Sequence, residues 1–201
     1  MLLDSRIFLD VVVNASFVLT SASFLLLSAL FGDALITRFD LKTFLKALGF
    51  GLLGLSSIFN LSLGMPVGLL LILFGFILDP FSKLRPLMPL PIVFLLFLNG
   101  HILLFVLGLL ITLAVFQLAY TTSHRDLMPL GIGFTLLSIG EYFYHLKGIE
   151  HLSQLSLAGS FLYLFASLIF LGWLWSYMGI RFFKVKFKAE EHLPSKLPPR
   201  G

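Results

Sequence analysis

No cysteine occurs in the 201-residue chain, which removes disulfides, thiolate metal centres, iron–sulfur clusters and cysteine nucleophiles. Charge is nearly as scarce. Asp, Glu, Lys and Arg make up 12% of the residues, roughly half the share in a water-soluble domain. Walker motifs, Gly-rich phosphate loops and Ser–His–Asp sets are missing too. The last apolar run, Leu155 to Met178, contains no lysine, so a retinal Schiff base of the usual final-helix kind is excluded.

What the chain has instead is apolar surface: 58% hydrophobic residues, 23 of them Phe, with a mean hydropathy of +1.01. A soluble fold has nowhere to bury that much. The runs lack the two-residue alternation of a membrane barrel and approach the ~20 residues that a spanning helix needs. The chain therefore reads as an all-α, polytopic membrane protein. Its formal charge of +4 does not point to nucleic acid, because six of its fourteen Lys and Arg follow residue 180. Anionic lipid headgroups are the partner that this placement suggests.

Five apolar segments stand out, at 7–31, 43–61, 66–80, 127–146 and 155–179. The first is too long for a signal-peptide core and carries Asp4 and Asp10 where a basic region belongs, so it reads as a membrane helix. A sixth stretch, Pro86 to Tyr120, exceeds a single crossing. Asn99-Gly100-His101 is its one plausible break, since Asn and Gly tolerate the left-handed backbone at a helix end, giving helices 86–98 and 101–120. Seven helices with the N-terminus outside put twelve of the fourteen Lys and Arg on the cytoplasmic side, whereas six helices scatter them.

An internal repeat leads to the same count. Leu48-Gly49-Phe50-Gly51, with Leu55-Ser56, recurs as Leu130-Gly131-Ile132-Gly133, with Leu137-Ser138, and each copy follows an Arg and an Asp-Leu. Helices 1 to 3 would then match helices 5 to 7 as parallel repeats joined by helix 4. The Gly-x-Gly pairs read as packing features and not as phosphate loops. Asp40 and Asp126 suit helix N-caps. Trp173, Trp175 and Tyr177 form an interfacial belt before Arg181. Beyond it, Arg181, Lys184, Lys186 and Lys188 interleave with Phe and Val as lipid-contacting residues, and 181–201 reads as a basic juxtamembrane segment with a flexible cytoplasmic tail.

Ionisable groups inside a bilayer are costly and thus functional candidates. Asp10 and Asn14 share a face of helix 1, and Glu141 and His145 share a face of helix 6. Asn60 ends helix 2, and Asn99 and His101 flank the start of helix 5. Asp10, Asn14, Asn60, His101, Glu141 and His145 all fall at similar depth toward the outer side, as a ligand-binding set would. Plain structural roles exist as well: Asp10 can pair with Arg6, and His145 and His151 can be interfacial histidines. His101, Glu141 and His145 are competent ligands for zinc or haem, but no two histidines form a tight motif on one helix, so no cofactor is expected.

The three-one-three arrangement resembles that of SWEET-type sugar transporters and PQ-loop proteins in helix count and repeat. The Pro-Gln motif is absent and the first helix has no proline, so no functional residue carries over. Three readings follow. One is a small-solute transporter or membrane sensor with an outward-facing polar pocket between the repeats. Another is a non-catalytic accessory subunit packed against other membrane subunits, and the third an intramembrane metal-dependent hydrolase or haem protein.

Overall fold

The structure, a computed structural model, describes residues 2–59, 61–98, 100–150 and 153–191. These form seven α-helices: α1 (Leu2–Thr37), α2 (Leu41–Phe59), α3 (Gly64–Ile77), α4 (Pro89–Phe97), α5 (Gly100–Thr122), α6 (Met128–Glu150) and α7 (Ser153–Glu191), with 3-10 turns at Arg85–Leu87 and Arg125–Leu127. Four stretches are long and apolar enough to cross a membrane, Asp10–Thr37, Leu41–Phe59, Gly100–Thr122 and Gln154–Gly179, and Gly64–Ile77 and Arg85–Leu95 are shorter apolar helices. The protein is a multi-pass helical membrane protein. Large apolar side chains such as Val18, Phe165, Leu168 and Leu113 point outward, an arrangement that suits hydrocarbon and not water.

Local chemistry explains most helix ends. Pro86, Pro89 and Pro91 occupy turns where a missing N–H costs nothing, so α4 begins at Pro89 after the Arg85–Leu87 turn. α4 ends at Phe97, and α5 begins at Gly100, which takes a φ of 59°. α3 stops at Ile77, short of 80. Asp79 precedes Pro80, a position that disfavours helix, and its carboxylate accepts the Phe81 N–H at 3.2 Å.

The outer helices run past their expected limits. α1 extends to Thr37 and α7 to Glu191, because a charge ends the bilayer crossing without ending the helix, and neither Pro nor Gly intervenes between Ile180 and Glu191. The segment after residue 180 is thus helical as far as Glu191. The side chains of Arg181, Lys184, Lys186 and Lys188, and residues 192–201, lie outside the described residues. Asp126 sits inside the Arg125–Leu127 turn, and its role is carried by the backbone: its carbonyl accepts the indole N–H of Trp173. Trp173 is accordingly buried, while Trp175 and Tyr177 are exposed as an interfacial belt requires.

Six helices close a ring in the order α1, α2, α3, α5, α6, α7 and back to α1, with α4 against the outside of α5. Small residues set the closest approaches. A Cβ on Gly49 would stand 2.7 Å from the Gly68 carbonyl oxygen, which fixes α2 on α3, and one on Gly140 would stand 2.8 Å from the Tyr163 ring, which fixes α6 on α7. Hydroxyls bridge other pairs: Thr20 to Ser167 between α1 and α7, and Ser28 to the Ala47 carbonyl between α1 and α2, both at 2.8 Å. At mid-height Phe24, Phe50, Phe134 and Phe170 pack ring against ring, with centroids 5.3 to 6.0 Å apart. The starts of α2 and α6 meet the ends of α1, α3, α5 and α7, so α2 and α6 run one way and the other four ring helices run the opposite way.

Candidate functional site

Glu141 is a buried acid with a partner on each carboxylate oxygen. It is 7% exposed and points into the ring from α6. His101, on the first turn of α5, places Nδ1 2.6 Å from one carboxylate oxygen, and Tyr163 of α7 donates its hydroxyl to the other. A carboxylate oxygen only accepts, so with Glu141 ionised the Nδ1–H of the His101 imidazole donates to it and ties the start of α5 to α6. Tyr144 completes the wall. Its ring stacks on His101 with centroids 5.7 Å apart and meets Tyr163 edge-on at 5.8 Å, while its hydroxyl pairs with Ser160 at 2.8 Å.

Sequence reasoning expected more residues here. Asp10 and Asn14 are exposed on α1, with no hydrogen bond to Glu141 or His101 among the described residues. His145 is half-buried and has no hydrogen bond or ion pair among the described residues. Four residues turn a helix by about 400°, so the face drifts about 40° per step, and Glu141 finds its partners on α5 and α7 rather than one turn along its own helix. Asn60, Asn99 and His151 lie outside the described residues. Among the described residues no three His, Asp or Glu side chains gather as a metal site would need, which leaves His101, Glu141 and His145 without a common focus.

The cavity beside Glu141 is small, about 30 Å³, and is walled mainly by Phe24, Leu53, Leu69, Leu104, Phe134 and Leu137. That is room for a water or two. The roomy space lies on the other side of the four-Phe layer. A cavity of about 640 Å³ occupies the opposite end of the ring, and every ring helix contributes to its wall: Phe31 from α1, Lys46 from α2, Phe76 from α3, Leu118 from α5, Leu130 from α6 and Trp173 from α7. Exposed Thr121, His124 and Tyr177 rim its mouth.

Three charged groups line this second cavity. Lys42 donates to Asp79 at 2.9 Å. Asp79 lies beyond the end of α3, and burial would push its carboxyl up. The Lys42 hydrogen bond and the Phe81 N–H outweigh that and hold it below the ordinary carboxylate range. Lys46, one turn after Lys42, is 8% exposed, with its ammonium 4.1 Å from the Phe76 ring centroid. Sequence reasoning passed over these groups. It counted Lys42 and Lys46 as markers of the cytoplasmic side, although an ionisable residue inside the 43–61 run is a candidate on the same grounds as Glu141. Comparison with models of known protein families, with curated proteins and with solved structures finds no match for this chain.

Proposed function

We propose that the chain is a small-solute transporter made of two three-helix halves, α1–α3 and α5–α7, joined by α4. One observation carries the reading: a cavity of about 640 Å³ on the ring axis, walled by all six ring helices and open at one end. Its size is that of a small-molecule site, and its place between the halves is where repeat transporters bind their solute. The ring order is also what exchanging the halves preserves, since α3 on α5 becomes α7 on α1. The basic end, with twelve of the fourteen Lys and Arg on its side, is cytoplasmic in this reading, and the chain crosses seven times. The solute enters from the cytoplasmic side in this state, opposite to the outward pocket expected from the polar residues. The four-Phe layer closes the path, and the Glu141–His101–Tyr163 cluster closes the far end.

A carrier must open its far end in turn. With no native cysteine, single cysteines report this directly. Thr43→Cys, on the large cavity, is expected to react with an impermeant thiol reagent from the basic side. Ser57→Cys and Leu137→Cys, on the small cavity, are expected to react slowly from the opposite side as the ring opens there. If both stay inert from that side under all conditions, the bundle is static, and an accessory subunit becomes the better reading.

A further inference from the structure

We infer that the large cavity binds a single anionic group, a carboxylate or phosphate monoester carried on an apolar body, against the ammonium of Lys46. Lys46 is more than nine-tenths buried, yet it lines the cavity. Its Nζ makes no hydrogen bond or ion pair among the described residues, and only the rings of Phe76, at 4.1 Å, and Phe31, at 6.0 Å, approach it. The ammonium itself is open to the cavity, where a ligand can reach it, and aromatic faces supply only part of what water gives a cation.

The two carboxylates nearby, Asp79 and Asp40, both lie on Lys42, Asp40 at 3.8 Å. Asp79 gives Oδ2 to Lys42 at 2.9 Å and Oδ1 to the Phe81 N–H at 3.2 Å. At the mouth, His124 faces Asp126 at 3.7 Å. Lys46 is therefore the ammonium on the cavity wall with no carboxylate in direct contact among the described residues. Around it the wall is apolar, from Leu30, Phe31, Phe76, Leu118, Leu130 and Trp173. A ligand with an anionic head and an aliphatic or aromatic body matches both parts, whereas inorganic phosphate satisfies the charge and leaves the apolar wall wet.

This inference rests on the cavity of the transporter reading and names its solute class, but it is tested by binding alone. The full chain in mild detergent has two Trp, and Trp175→Phe removes the exposed one so that Trp173, on the cavity wall, reports binding by fluorescence. Benzoate is the probe and benzyl alcohol its neutral counterpart. Benzoate is expected to bind saturably and about tenfold or more tighter than benzyl alcohol, and Lys46→Met is expected to erase that difference. Methionine matches the lysine stem in volume and shape, so the fold should survive. Lys46→Arg keeps the charge and is expected to keep the preference.

Nanodiscs separate a free anion from a lipid headgroup. A benzoate midpoint raised by phosphatidylglycerol relative to phosphatidylcholine, in wild type and not in Lys46→Met, assigns the site to a headgroup. An unchanged midpoint assigns it to a free anion, and either result supports an anion site. Equal binding of benzoate and benzyl alcohol, or a Lys46→Met variant that binds like wild type, overturns it. Benzoate binding intact beside cysteines that never open to the far side would sink the transporter reading and leave this one standing.

Discussion

Glu141 and Asp79 answer the same physical demand differently. A carboxylate withdrawn from water must recover its hydrogen bonds within the protein. Glu141 does so through His101 and Tyr163, and Asp79 through Lys42 and its own turn. Glu141→Ala leaves the buried Tyr163 hydroxyl without its acceptor and is expected to cost about 1–3 kcal/mol. Glu141→Gln retains an acceptor oxygen and should cost less. Thermal unfolding in detergent orders the three proteins, and an alanine variant as stable as the glutamine one would remove the cluster from the account. For Asp79 the sign follows from its lowered pKa. Its contribution is fully present above the ordinary carboxylate value and is lost as pH falls through the lowered one. The pair is partly exposed, with side-chain exposures of 30% and 12%, so the effect is modest. Acidification from neutral is expected to lower the melting temperature of wild type more than that of Asp79→Asn, and parallel curves would contradict the pairing.

Between elements, the contacts that matter belong to the smallest residues. Gly49 meets both the Gly68 carbonyl and the Ile72 side chain, each 2.7 Å from where its Cβ would be, and backbone cannot step aside. Gly49→Ala is therefore expected to destabilise by about 1–3 kcal/mol by pushing α2 off α3. Gly172, on α7, has nothing within 4 Å of that position, so Gly172→Ala is expected to stabilise by about 0.5–1 kcal/mol through helix propensity. Melting temperatures of the two variants moving in the same direction would reject this contrast. The same element scale shows what the sequence carried and what it did not. The break before α5 was legible because an Asn-Gly pair has few other uses in a long apolar run. The ends of α1 and α7 were not, because charge marks the edge of lipid and helices continue into water.

For the whole molecule, the proposed orientation puts the turn between α5 and α6 in the cytoplasm and the end of α6 outside. Lys147→Cys is expected to react with an impermeant thiol reagent on intact cells, and Ser123→Cys only after permeabilisation. The reverse pattern would invert the orientation and with it the side from which the large cavity loads.

Composition alone determined that this chain lives in a membrane as a bundle of apolar helices, since 58% hydrophobic residues and 12% charge leave no other solvent for it. Periodicity marked Glu141 as a buried acid and His101 as a neighbour in depth. Which residues meet was beyond it. Depth along a helix is read from one chain segment, but direction around the helix axis is set by what packs on each face. Only the closed ring drew Tyr163 onto Glu141 and enclosed Lys46 on the wall of a cavity that no single helix contains.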